Sequence, residues 1–203
     1  MCGKIEELRL AVSSRMSEKR FKHTLGVERL AARLGELIIP DCVEELRAAA
    51  LLHDIAKEMP KEELLSLISG VEGITDEDLK SPPLYHAFAA PEVIKRDFPE
   101  FATPNVLSAT FNHTTGAPDM SLFDEIIFIS DFAEEGREYP ACREIAKKLA
   151  ERCNPSLDKD NCIKGLHRTA YDTVLSVIST LQRLGNDINS RTLLTRSAFA
   201  VKI

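Results

Sequence analysis

The stretch AAALLHDIAKEMP, residues 48–60, sets His53 and Asp54 side by side in a run of small and branched apolar residues. Such a run reads as buried, and a carboxylate taken out of water costs several kcal/mol unless something pairs with it. Lys57 is the only cation in the stretch. The partner for Asp54 has to be sought in the segments around it.

Those segments read as helices. Apolar positions recur at three- and four-residue intervals almost everywhere and strand-like alternation is scarce, so the spacing predicts an all-α fold. Ile5, Leu8, Val12 and Met16 mark a first helix, and His23, Val27, Leu30, Ala31 and Leu34 line one face of a second. Pro40 separates it from a buried helix over 44–56 that carries His53-Asp54 and is ended by Met59-Pro60. Residues 61–69 form a short amphipathic helix, and Thr75 to Asp78 offers a capping box for another. Pro91 interrupts the pattern after His86 and predicts a kink or a fresh start. Thr103-Pro104 opens a helix ending near His113, and Ser121 caps the apolar run LFDEIIFISDFAEE. Amphipathic helices over 141–153 and 160–184 follow, stopped by Gly185-Asn186. Residues 1–185 are expected to form one helical domain, with 186–203 a tail packed on it.

The chain has 203 residues, 44% of them apolar and 29% charged, an ordinary globular profile. At that size roughly 70% of the unfolded surface can be buried, so neither metal nor disulfide is needed merely to fold it. The formal net charge of −6 argues against coating nucleic acid or anionic membrane, which are bound by basic surfaces. No segment approaches the ~20 uninterrupted apolar residues of a membrane span. The N-terminal residues also lack a signal-peptide core, so the expected location is cytoplasmic. Five cysteines, an odd number without a C-x-x-C pair, fit reduced thiols there.

Residues able to carry chemistry are few. Of five histidines, His23 stands on an apolar helix face, His53 adjoins Asp54, and His86 and His113 lie beside helix termini or loops, while His167 precedes Arg168 on a helix. Singly, each reads as a core or capping residue. Asp131, in the middle of IIFISDFA, shifts the balance, because two aspartates and a histidine now occupy apolar walls and each carboxylate needs a cation. A divalent metal meets that need better than one lysine, since imidazole nitrogen with carboxylate oxygen suits iron, manganese, zinc or cobalt. On a helix His53 and Asp54 diverge by about 100°, so they could grip one ion or reach toward two, with further ligands converging from separate helices.

The order His23, His53-Asp54, Asp131 resembles that of the HD-domain metal-dependent phosphohydrolases, and His86 and His113 lie between, as in members that hold two metals. The blocks RFKHTLGVERLAARLG, AALLHDIAKEMP, YHAFAAPEVI, NHTTGAPDMSLFDEIIFISDFAEEGREYP and LGNDINSRTL narrow the likeness. Over about residues 15–195 they resemble the YqeK family of symmetrical dinucleoside tetraphosphatases. The resemblance implies an HD-domain helical bundle with a di-metal site between helices. Its ions are divalent or mixed-valence, iron foremost and manganese, cobalt or zinc as alternatives, with ligands His23, His53, Asp54, His86, His113 and Asp131. It further implies cleavage of diadenosine tetraphosphate, Ap4A, into two ADP by attack of metal-bound hydroxide on a phosphoanhydride. Two departures concern the holding of substrate. Ala117 stands where the family usually has arginine after HTTG, and Asp131-Phe-Ala-Glu-Glu-Gly-Arg137 replaces D-x-x-E-P-x-R, with Glu135 at the proline position.

Two metals ~3.5–4 Å apart would acidify a bridging water and clamp a phosphate. Asp54 is the candidate bridge and His53 a ligand of one ion. By the same resemblance, His23 and Asp131 would complete one ion, and His86 and His113 the other. A polyanionic substrate on an acidic protein also requires a local cationic rim. Lys57, one turn past His53, is the candidate at the reacting phosphate, Arg137 offers a planar fork, and Arg20 lies on the approach to His23. Thr114 and Thr115 offer hydroxyls to the substrate or cap their own loop. The bland alternatives make Lys57 a solvated lysine, Arg137 a surface partner of Glu134, and Glu134 and Glu135 a solvated helix end. The nearest rival function is an HD phosphohydrolase for a deoxynucleoside monophosphate or guanosine tetraphosphate, and the next is a non-catalytic nucleotide-binding HD module. The expected partner is a small nucleotide, with no nucleic acid and no membrane. The sequence leaves open a homodimer, the cellular metal, the preferred dinucleotide and the effect of Ala117 and Glu135.

Overall fold

The computed structural model describes residues 2–203, and among them the chain forms ten α-helices joined by turns, with no strand. The all-α reading holds. Helix α1 (Cys2–Ser13) buries Ile5, Leu8 and Val12. Ser17, accepting from the Arg20 amide, caps α2 (Glu18–Ile38), whose apolar face includes Val27, Leu30, Ala31 and Leu34. The remaining helices are α3 (Val43–Leu52), α4 (Lys61–Ile68), α5 (Tyr85–Asp97), α6 (Pro104–Asn112), α7 (Leu122–Ala133), α8 (Pro140–Arg152), α9 (Lys159–Arg183) and α10 (Ser190–Phe199).

Local chemistry sets most of these boundaries. Thr103 accepts from the Val106 amide with Pro104 in the first turn, and Ser121 and Asp124 form a reciprocal capping box at the start of α7. The middle of α7 is apolar all round, with Ile126, Ile127, Phe128 and Ile129 buried, as befits a central helix. It packs against α2, α6, α8 and α9, while α2 and α6 both pack on α3. Among the described residues, no helix is long and apolar enough to cross a membrane.

Four local expectations need correction. The helix bearing the HD pair ends at Leu52 instead of running to Ala56. Beyond it, the amides of Ile55 and Lys57 reach the carbonyls of Leu52 and Asp54, three residues back, at 3.1 and 2.9 Å. The apolar pattern continues because this tightened turn stays buried through Ala56. Helix α5 does not restart at Pro91 but runs through it, held by α4 and α6 on its sides. The capping box at Thr75 forms, yet only a 3₁₀ turn follows it. The tail contains α10, which the Ser/Thr-rich composition hid. This helix packs on α9 and buries Phe199 completely.

The last two corrections are linked. Asp78, 1% exposed, accepts from Asn189 Nδ2 at 3.0 Å and from Arg191 Nε and Nη2 at 3.1 and 3.0 Å, so the box anchors the start of α10. Burial works against the Asp78 anion, but Arg191, Thr75 and Asn189 hold its pKa below the ordinary 3.8. The resulting stabilisation is complete above that value and lost as pH falls through the lower folded value. Asp78→Asn should cost about 1–3 kcal/mol in urea unfolding at neutral pH. That deficit should shrink below about pH 4; a deficit that persists unchanged in acid would contradict the assignment.

Candidate metal centre

Three helices point their C-terminal ends at one place, and the last carbonyls of a helix lack intrahelical partners. Two imidazoles make use of them. His53, just past α3, and His113, just past α6, each approach a carbonyl with Nδ1, Ala50 O and Thr110 O respectively, at 2.7 Å. A carbonyl can only accept, so Nδ1 carries the proton and Nε2 presents its lone pair inward. His86 arrives from the first turn of α5, His23 from α2, and Asp131 from the last turn of α7.

The structure brings all six candidate ligands together around Asp54. Its Oδ2 lies 3.4 Å from His53 Nε2 and 3.9 Å from His23 Nε2, and its Oδ1 lies 3.4 Å from His86 Nε2 and 3.6 Å from His113 Nε2. Asp131 Oδ1 is 3.0 Å from His23 Nε2 and 3.7 Å from His53 Nε2. Two groups have ligand atoms within 4.8 Å of one another, His23 with His53 and Asp131, and His53 with Asp54 and His113. His86 Nε2 is 3.2 Å from His113 Nε2.

A cation fits this donor set on one observation. His53 Nε2 and Asp54 Oδ1 are buried and have no hydrogen-bond partner. Buried polar atoms are rarely left so. Arginines neutralise only the rim: Arg20 Nη1 takes Asp54 Oδ2 at 2.7 Å, and Arg137 takes Asp131 Oδ1 with Nη2 at 2.6 Å and the Asp131 carbonyl with Nε at 3.0 Å. Oδ1 is turned toward the Nε2 atoms of His86 and His113, and His53 Nε2 toward Asp54 Oδ2 and Asp131 Oδ1, so a divalent metal could take a lone pair from each.

Electrostatics agree. Burial works against the anions of Asp54 and Asp131, yet His53 and His113 hold Asp54, and His23, His53 and Arg137 hold Asp131, well below the usual carboxylate range. Burial likewise opposes a charged His53 ring, but Asp54 and Asp131 prevail and raise its pKa to about 10. With no ion beside it, Nε2 of this ring takes up a proton at the position where a metal would bind. Burial, with His113 and Lys57 nearby, pushes His86 well below its ordinary value.

The other expected site residues fall as follows. Lys57 Nζ lies 2.9 Å from His86 Nε2, and burial lowers its pKa. Thr114 Oγ1 lies 3.4 Å from the same nitrogen, whereas Thr115 donates to the Gly116 carbonyl within its own loop. Ala117 borders a separate cavity of about 500 Å³ with Phe88, Phe111 and Arg191, lined by none of the six ligands. His167 stands apart, 2.8 Å from the buried Glu125. Arg137 pairs with Asp131, not with Glu134.

Glu134 is the residue the sequence reading undervalued. Instead of a solvated helix end it is 4% exposed, with Oε1 3.2 Å from His23 Nδ1 and Oε2 accepting from the Gly136 amide at 2.5 Å. Its spacing of three residues from Asp131, which puts both on one helical face, was the available signal.

Comparison with known proteins places these observations in a family. A model of the HD domain matches residues 20–135. The chain is 32% identical to the symmetrical bis(5'-nucleosyl)-tetraphosphatase of Bacillus subtilis (strain 168), over 72% of this chain and 77% of that one. It is 32% identical to the protein of the same name from Halalkalibacterium halodurans, with the same two shares, 72% and 77%. The crystal structure of a "predicted HD superfamily hydrolase involved in NAD metabolism" from Clostridium acetobutylicum matches with a TM-score of 0.82 at 27% identity, over 98% of this chain and 97% of that one.

If the orphaned atoms are metal ligands, a divalent ion at a hundredfold excess over its Kd should stabilise the fold by about 2.7 kcal/mol. Thermal melting with Mn²⁺ and with EDTA checks this. The same transition in both, or a shift retained by Asp54→Ala, would contradict it.

Proposed function

The chain belongs to the HD-domain family, and from that premise we propose that it is a metal-dependent phosphohydrolase cleaving Ap4A symmetrically into two ADP. The observation that carries the reading is the pair of orphaned buried atoms, His53 Nε2 and Asp54 Oδ1, inside a ring of inward-facing ligands. The relatives named symmetrical tetraphosphatases support the substrate.

His23, His53 and Asp131 would hold one divalent ion and Asp54, His86 and His113 a second. Asp54 is suited to serve both, since Oδ2 faces His53 and His23 while Oδ1 faces His86 and His113. Imidazole nitrogen with carboxylate oxygen suits iron, manganese, cobalt or zinc alike, and the family resemblance puts iron first. When bound, such ions supply Lewis acidity, acidifying water and neutralising phosphoryl charge.

The remaining work falls to the side chains on the rim. Arg20 and Arg137 are about a quarter exposed, 26% and 29%, and their guanidinium forks match phosphate oxygens. Lys57, beside His86, sets a point charge at the opposite edge, and Thr114 adds a hydroxyl donor. Three cations on an acidic protein form a local patch for a tetraphosphate, which meets the requirement set by the net charge of −6. The free thiols of Cys42, Cys142, Cys153 and Cys162 suit a reducing cytoplasm.

Product analysis decides the reaction. Metal-loaded protein given Ap4A should yield ADP alone, and AMP with ATP, or turnover only of another nucleotide, would contradict the reading. Asp54→Ala should abolish activity together with metal retention. Arg137→Ala should raise KM by about tenfold or more, the loss of a charge-assisted phosphate contact.

A further inference from the structure

The four inward-facing imidazoles are not held alike. His53 and His113 each give Nδ1–H to a carbonyl of their own helix, and Lys57 Nζ lies 3.3 Å from Nδ1 and 2.9 Å from Nε2 of His86. Only His23 has its outer nitrogen against a carboxylate, that of Glu134. Glu134 belongs to the chain end of α7, one helical turn beyond Asp131, so one short segment delivers both a ligand and a group aimed at the back of another ligand.

The space around this carboxylate is shaped for it. Gly26, one turn after His23 on α2, faces Glu134, and a Cβ placed there would overlap the carboxylate itself. A Cβ at Gly136 would also press on it, at 2.9 Å from Oε2. Oε2 is meanwhile fixed by the Gly136 amide, which leaves Oε1 for the ring. A buried acid with glycine on two sides and an imidazole in front is costly to build unless the acid is needed there.

We propose that Glu134 is the positioning residue of His23: its carboxylate accepts the hydrogen bond from Nδ1–H and turns Nε2 toward Asp131, and Gly26 lacks a side chain because the carboxylate occupies that space. The inference rests on the metal-centre reading above. A carboxylate behind a metal-binding imidazole fixes the tautomer and raises the ring's basicity more than a carbonyl does, and losing such a partner commonly weakens metal binding 10–100-fold. Glu134 therefore strengthens the His23 and Asp131 side of the centre without touching ion or substrate.

The test compares Mn²⁺ affinity, by competition with a fluorescent chelator, across the full-length wild type, Glu134→Gln, Glu134→Ala, Gly26→Ala and the Gly26→Ala/Glu134→Ala double variant. Melting of each metal-free protein runs beside it. Glutamine keeps the size but sets its amide hydrogens against either the Gly136 N–H or the His23 Nδ1–H. Glu134→Gln should weaken Mn²⁺ binding about 10–100-fold with a metal-free melting point close to wild type. Gly26→Ala should lose a similar factor by displacing the carboxylate, and the double variant should bind no worse than Glu134→Ala, because the clashing partner is gone. Glu134→Gln affinity within about twofold of wild type overturns the proposal, as does a Gly26→Ala loss that persists in full without Glu134. Wild-type protein that binds no divalent ion overturns the metal-centre reading as well, which separates the two failures.

Discussion

Asp54 shows one oxygen to His53 and His23 and the other to His86 and His113, at the meeting point of helices whose apolar faces are otherwise closed to water. An anion in that position needs compensation that no single side chain of the motif supplies. The chain answers with helix ends. The C-termini of α3, α6 and α7 converge on the site, and helix C-termini carry partial negative charge that favours a cation. The same free carbonyls orient the rings of His53 and His113, so backbone geometry fixes which nitrogen is offered. The apolar middle of α7 and the packing of α2 on α3 hold these ends in register.

The cationic side chains around the centre have two partners in prospect. In this structure Arg20 and Arg137 lie on the outer oxygens of Asp54 and Asp131, and Lys57 lies on His86. They leave the innermost donor and acceptor atoms unpaired, so they do not complete the charge balance of the interior. Were divalent ions to supply that balance, the same three groups would be released to meet a polyphosphate. On the proposed function an acidic protein would thereby present a small basic patch to the polyphosphate, steering a polyanion without a basic surface elsewhere.

Much of this was legible in the sequence because burial and charge conflict visibly there. Asp54 and Asp131 stand in apolar runs, and that conflict marked both carboxylates as needing a cation, while the family resemblance added the remaining candidate ligands. The helix starts at Thr103 and Ser121 were equally plain, since each cap is a local interaction. What escaped depends on distant contacts. The end of α3 at Leu52 is hidden because the turn after it remains buried and keeps the apolar period. The helix α10 was obscured by a polar composition that packing on α9 and the Asp78–Arg191 pair override. Glu134 looked like a solvated charge because its partner, His23, is more than a hundred residues away in the chain, and the glycine that makes room for it carries no chemical label.

The central claim is that cations belong between these six side chains. Anomalous X-ray diffraction from crystals of the protein purified without chelator, recorded on both sides of the iron and manganese edges, tests it directly. Two anomalous peaks ~3.5–4 Å apart are expected, one among His23, His53 and Asp131 and one among Asp54, His86 and His113. Featureless anomalous maps there, with Arg20, Arg137 or Lys57 swung inward onto His53 Nε2 and Asp54 Oδ1, would contradict it.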